Sequence, residues 1–112
     1  MKSCILSIDT CQSTETIVRL KIDDRVVEKK SDQMRNTAQL IIPMLEGLLQ
    51  DQSLKQSDIT EIEVATGPGS FTGVRVGVAI ATTLSWILHI PINGRSSGTT
   101  PQITYAPSKW DD

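Results

Sequence analysis

The 112-residue sequence predicts an α/β fold with a five-stranded mixed sheet, in the order β-β-β-α-β-α-β. Three observations lead to it: three short apolar runs open the chain, two long apolar segments follow, and a short strand-like run comes before and after the second of them. Strands joined by short connections pair antiparallel, and strands joined through a helix pair parallel, so this sheet mixes both. The plan is that of a ribonuclease-H-like domain, which also builds the single lobes of the actin-like ATPase superfamily.

The first three strands are expected to form an antiparallel meander. Ser3 to Ile8 is an apolar run that ends in a polar turn, and Thr16 to Ile22 largely alternates apolar with polar residues. Asp23-Asp24 signals a turn, after which Val26 through about Lys29 provides the third strand.

Two long helices are predicted next, from about Met34 to Gln50 and from about Thr72 to His89. The first contains Pro43, which removes one backbone donor and is expected to bend the helix. The strand Ile62 to Thr66 separates the helices, and Ile90 to Ile92 begins the fifth strand. Both helices are apolar around more of their circumference than one sheet face can cover.

This surplus apolar surface predicts that the helices bind a second protein chain in a helical bundle. Trp86 adds a large ring to a helix otherwise rich in small and branched side chains. The alternative is that the two helices cover each other within one chain. The residues expected at the interface are Ile41, Leu45, Leu48, Val78, Ala81 and Trp86.

A glycine-rich run from Gly67 to Gly77 joins the fourth strand to the second helix. Backbone N–H groups at such a turn suit a phosphate, but the lysine of a P-loop is missing, since Val74 follows Gly73. The alternative, which the residues favour, is that the glycines let the helix lie close to the sheet. The candidate residues of this loop are Gly67, Gly69, Ser70, Thr72, Gly73 and Arg75.

Asp9 ends the first strand, where sheets of this plan place a carboxylate that binds metal or phosphate. One carboxylate makes a poor magnesium site, and the alternative is a turn in which Asp9 accepts a hydrogen bond from its own backbone. His89 is the single histidine and has no partner cluster for zinc. No metal and no cofactor is expected.

The composition indicates a globular protein without a basic face, with 38% hydrophobic residues, 21% charged residues and a formal net charge of −2. Direct nucleic-acid binding is therefore not expected, since it needs concentrated positive charge. No stretch has the apolar length of a transmembrane helix. Cys4 and Cys11 are expected to be reduced thiols in a cytoplasmic protein.

Four segments resemble the TsaB (YeaZ) family: Ile8-Asp9-Thr10, the proline-containing stretch Leu40 to Leu45, the glycine-rich run, and Ile90 to Gly94. The resemblance covers about residues 2–94. It implies a non-catalytic subunit in making threonylcarbamoyladenosine in tRNA, which pairs through its helices with the catalytic subunit TsaD, self-associates through the same surface when alone, and is bound by the ATPase TsaE once paired.

The resemblance also implies a second lobe, which family members have. Here residues 1–94 form the N-terminal lobe, and an irregular tail is expected over 95–112 in place of the second lobe. Nucleotide binding between two lobes should accordingly be weak. Two alternatives stay open: a small Mg-ATP-binding ATPase or phosphotransferase lobe that uses Asp9 and the Gly67–Gly73 loop, and a homodimeric one-lobe remnant.

Overall fold

The computed structural model describes residues 3–11, 15–32, 37–68 and 71–103. One sheet in the order β3-β2-β1-β4 carries both helices, with β4 parallel to β1 and the other pairs antiparallel. A single 3₁₀ turn precedes β4, and the predicted start of the first helix at Met34 lies outside the described residues. The bounds are β1 Cys4–Asp9, β2 Thr16–Ile22, β3 Arg25–Ser31, α1 Thr37–Asp51, the 3₁₀ turn Gln56–Asp58, β4 Glu61–Val64 and α2 Phe71–Leu88.

The strand register places the core on one face of the sheet. Leu6 of β1 lies opposite Leu20 of β2 and Ile62 of β4, and all three are fully buried. Because side chains alternate along a strand, the next row on the same face is Ile8 with its neighbours in β2 and β4. Both helices pack on this face, so their inner sides complete the core.

The opposite face of the sheet carries charged side chains that form ion pairs. Arg19 Nε donates to Glu28 Oε2 across β2 and β3 at 2.7 Å, and Lys21 Nζ lies 3.3 Å from Glu63 Oε2 of β4. Because side chains alternate along each strand, one face of this mixed sheet packs in the core and the other carries the ion pairs.

The prediction of a fifth strand was wrong: over the described residues the sheet has four strands, and Ile92 forms only an isolated bridge with Ile62. Asn93 and Gly94 both have positive φ, as in a type I′ turn, and return the chain so that Ile92 pairs with Arg95. The Asn93 side chain accepts from Val64 N at 2.8 Å and donates to Val64 O at 3.1 Å. An amide side chain therefore occupies the place where a longer strand would have continued.

Both helices end in a Schellman motif whose left-handed residue is not glycine. At the end of α1, Ser53 has φ 57°, and Leu54 N donates to Leu49 O at 2.8 Å. At the end of α2, His89 has φ 56°, and Ile90 N donates to Ser85 O at 3.1 Å. Over residues 95–103 the chain forms no helix, and Pro101 is buried.

Candidate protein-binding surface

The glycine-rich connection brings α2 close to the end of β1. The Thr10 hydroxyl donates to Gly73 O, and Thr10 is only 2% exposed. Gly77 lies one turn further along α2, and a Cβ atom there would collide with Thr10 Oγ1 and lie 3.3 Å from Thr10 Cβ. The absence of a side chain at Gly77 is therefore what allows this close approach.

Of the remaining candidate residues in the glycine-rich run, the structure describes Gly67 and Arg75. Gly67 has φ 109° and is followed by a cis peptide bond to Pro68. Arg75 is exposed on the first turns of α2. Gly69, Ser70 and the side chain of Thr72 lie outside the described residues.

Asp9 acts in a local turn. Its Oδ1 accepts a hydrogen bond from Cys11 N at 3.0 Å, the arrangement of an Asx turn. Cys11 Sγ lies 3.5 Å from Ala65 O, and burial together with the Asp9 carboxylate raises the pKa of the Cys11 thiol. Within the described ranges, no group of three or more His, Cys, Asp or Glu side chains gathers where a metal could bind.

Five of the six residues expected at a protein interface are enclosed in the core of this chain, which corrects that assignment. They are at most 3% exposed, and only Trp86, at 65%, reaches the surface. A side chain without accessible surface cannot contact a partner, so the contacts of these five lie within the monomer. The five are Ile41, Leu45, Leu48, Val78 and Ala81.

A second apolar stripe on the same helices does face outward. Ile87 is 57% exposed, next to Trp86. Beside it, α1 and α2 form a shallow depression of about 390 Å³, and none of the described residues that line it is charged. Its lining residues are Ile42, Ala79, Ile80, Thr83, Leu84 and Ile87. Ile42, Ala79, Ile80, Thr83, Trp86 and Ile87 are together termed the outer helix face.

Residue size is the signal that could have separated the two stripes of α2. Gly77, Ala81 and Ser85 are spaced by four residues and are all buried. Positions four apart lie on one side of a helix, so three small residues there mark the side that lies against the sheet. The larger Ile80 and Ile87 lie on a different side, and hydrophobicity alone does not distinguish the two.

The fold and this surface define an α/β lobe of the ribonuclease-H-like, actin-like type. A family model described as "TsaD: tRNA N6-adenosine threonylcarbamoyltransferase" matches residues 28–99, which include α1, β4 and α2. TsaB of Bacillus subtilis is 42% identical over 93 residues, which are 83% of this chain and 41% of that protein. TsaB of Escherichia coli K12 is 34% identical over 107 residues, 95% of this chain and 44% of that protein.

Solved structures agree with these relatives. A structure described as YeaZ from Pseudomonas aeruginosa superposes with a TM-score of 0.75 and 30% identity, and it covers 80% of this chain and 42% of its own. The chain belongs to the TsaB (YeaZ) family. It spans less than half the length of the relatives that it matches. Over the part of the chain that the structure describes, neither helix is long and apolar enough to cross a membrane.

Proposed function

We propose that this chain is a non-catalytic subunit in the cytoplasmic biosynthesis of tRNA threonylcarbamoyladenosine, and that its outer helix face binds a TsaD-like catalytic subunit. The pathway is the one for which the relatives in Bacillus subtilis and Escherichia coli are named. The single observation that carries the binding role is the outer helix face, where Trp86 and Ile87 are exposed beside an uncharged depression. Exposed apolar surface of this kind is typical of a protein interface.

The family model gives a reason for the choice of partner. It describes TsaD and matches the α1–β4–α2 unit of this chain, so a TsaD-like protein carries a similar pair of helices. Two similar helix pairs can meet face to face about an approximate twofold axis, as subunits with a self-complementary patch do. The resemblance adds a TsaE-like ATPase as a protein that binds the assembled pair.

The proposal that the chain is non-catalytic rests on the two features that could have formed a catalytic site, Asp9 and the glycine-rich run. Asp9 accepts a backbone hydrogen bond in its own turn, and Gly77 provides room for Thr10. The Asp9 contact contributes to local folding. The lack of a side chain at Gly77 lets α2 lie close to Thr10 at the end of β1, which leaves the outer side of the helix available to a partner.

The test compares Ile87→Asp with Val26→Asp. Both positions are 57% exposed and apolar, but Val26 lies on β3, away from the helices. Binding to the TsaD-family protein of the same organism is measured by isothermal titration calorimetry, with circular dichroism as a control for folding. We expect Ile87→Asp to weaken binding at least about tenfold, since charge is placed in a desolvated apolar contact. Val26→Asp should bind as the parent does.

Two results would contradict the proposal: a parent chain that does not bind the TsaD-family protein, or equal affinity of both variants. Sedimentation velocity of the parent alone separates a further outcome. If the parent fails to bind the TsaD-family protein and instead forms a dimer that Ile87→Asp abolishes, self-association would be the function of this face.

A further inference from the structure

Residues 96–103 lie along α2 and are held there by Ser85. Ser85 is fully buried, and its hydroxyl donates to Ile90 O at 2.6 Å and accepts from Gly98 N at 3.0 Å. One serine thus links the helix, the chain that leaves it and the returning segment. Further along, Pro101 is buried and Ile103 packs against the core.

This segment encloses a second depression on the other side of α2, of about 400 Å³. Thr100 and Ile103 contribute to it from the segment, and residues of α2 between Arg75 and Thr83 contribute the rest. Its lining residues are Arg75, Val78, Ala79, Thr82, Thr83, Thr100 and Ile103. Since Thr100 and Ile103 follow Gly98 but lie nearer the start of α2, the segment runs antiparallel to the helix.

The two depressions share Ala79 and Thr83. They therefore lie on either side of one ridge on α2, and that ridge consists of small side chains. Ile80 and Ile87 border the ridge on the side of α1, and Ile103 borders it on the side of the segment. A low ridge between two apolar borders lets the backbone of another helix approach closely.

We infer that residues 98–103 form the second wall of the binding surface, and that the occupant is an apolar helix of the TsaD-like partner. The inference rests on the proposed function, because it extends the outer helix face across the ridge. Its own basis is the continuity of the two depressions through Ala79 and Thr83. A helix that covers the ridge contacts Ile87 on one side and Ile103 on the other.

Gly98 has a positioning role for Trp86 in this arrangement. A Cβ atom at Gly98 would lie 3.2 Å from Trp86 Cδ1 and 3.4 Å from Trp86 Cβ, and Gly98 has φ 78°. A side chain at this position would strain the backbone and push against the indole. Trp86 is exposed at the border of the surface, so its orientation depends on Gly98.

The test uses Ile103→Asp with its exposed neighbour Gln102→Asp as the matched control. Both add one negative charge to the same segment. Calorimetry with the TsaD-family protein should show that Ile103→Asp weakens binding about tenfold, whereas Gln102→Asp stays within about twofold of the parent. Thermal unfolding of each variant reports whether the change affects folding.

A second measurement reports on Trp86 directly. In a Trp110→Phe background Trp86 is the single tryptophan. Gly98→Ala should shift its fluorescence emission in the free protein and weaken binding to the TsaD-family protein. An unchanged emission and an unchanged affinity would contradict the role of Gly98.

The outcomes separate the inference from the proposed function. If Ile87→Asp weakens binding and Ile103→Asp does not, the second wall is wrong and the proposed function stands. If both weaken binding while Gln102→Asp and Val26→Asp do not, both are supported. If the parent chain does not bind the TsaD-family protein, or if neither Ile87→Asp nor Ile103→Asp weakens its binding, both are overturned.

Discussion

Replacement of Gly77 by alanine tests how the glycine-rich run positions α2. In a free helix this change is favourable, because alanine is a better helix former than glycine by about 1 kcal/mol. Here the added methyl group would collide with Thr10 Oγ1 and lie 3.3 Å from both Thr10 Cβ and Cγ2. Thr10 is 2% exposed and cannot move into solvent without opening the end of β1.

The size of the effect follows from three contributions. Forcing a methyl group into a closed contact costs about 1–3 kcal/mol. Displacing the Thr10 hydroxyl from Gly73 O removes a buried hydrogen bond, at a cost of about 1 kcal/mol. The gain in helix propensity offsets about 1 kcal/mol. We therefore expect Gly77→Ala to lower the free energy of unfolding by about 1–3 kcal/mol and the Tm by roughly 5–15 °C.

Urea unfolding followed by circular dichroism measures this, and α1 offers a matched control. The three atoms nearest to a Cβ atom at Gly47 all belong to the Lys29 side chain, with Nζ at 2.6 Å, and this flexible side chain can rotate away. Gly47→Ala should therefore keep or raise stability. A Gly77→Ala protein as stable as the parent would refute the reasoning. So would an equal loss of stability in a Thr10→Ala background, where the collision with Oγ1 is absent and only the contact with Cβ remains.

Two further predictions concern the helix ends and the polar face of the sheet. Glycine adopts positive φ without strain, and Ser53 and His89 both have positive φ. In urea titrations, replacement of either residue by glycine should therefore raise the free energy of unfolding by about 0.5–1 kcal/mol. Replacement by alanine should give no such gain. Arg19 donates to Glu28 and lowers the pKa of that carboxyl below its ordinary value of 4.5. The stabilisation is present above that ordinary value and is lost as pH falls through the lowered pKa. An NMR titration should show that Arg19→Gln raises the pKa of Glu28, and an unchanged value would contradict the ion pair.

The order of elements could be predicted from the sequence because strand and helix periods differ. The alternation in β2 and the long apolar segments of α1 and α2 indicated element types within a few residues of the observed bounds. The prediction of a fifth strand was wrong because it considered the apolar run Ile90 to Ile92 and not the turn that follows it. Asn-Gly is a strong signal for a tight turn, and it ends the pairing after a single bridge.

The interface residues were harder to predict, because both sides of α2 are apolar. Val78 and Ala81 share their apolar character with Ile80 and Ile87, so hydrophobicity alone does not indicate which stripe meets the sheet, and the size of the side chains has to be read as well. That choice depends on tertiary contact: the small side chain at Ala81 lies where the helix comes closest to the core. The docking of residues 98–103 depends on the buried hydroxyl of Ser85, which no periodicity indicates.

The proposed binding surface is contained within this chain, and this determines what can be tested with it. Its two borders and its ridge come from α1, α2 and the segment up to Ile103, so no contribution from the other half of the longer relatives is needed to form it. A site formed between two lobes would depend on residues outside this span. Pairing through the helices is therefore the proposed activity that can be tested on these residues. The comparison of Ile87→Asp with Val26→Asp measures it on the 112-residue chain itself.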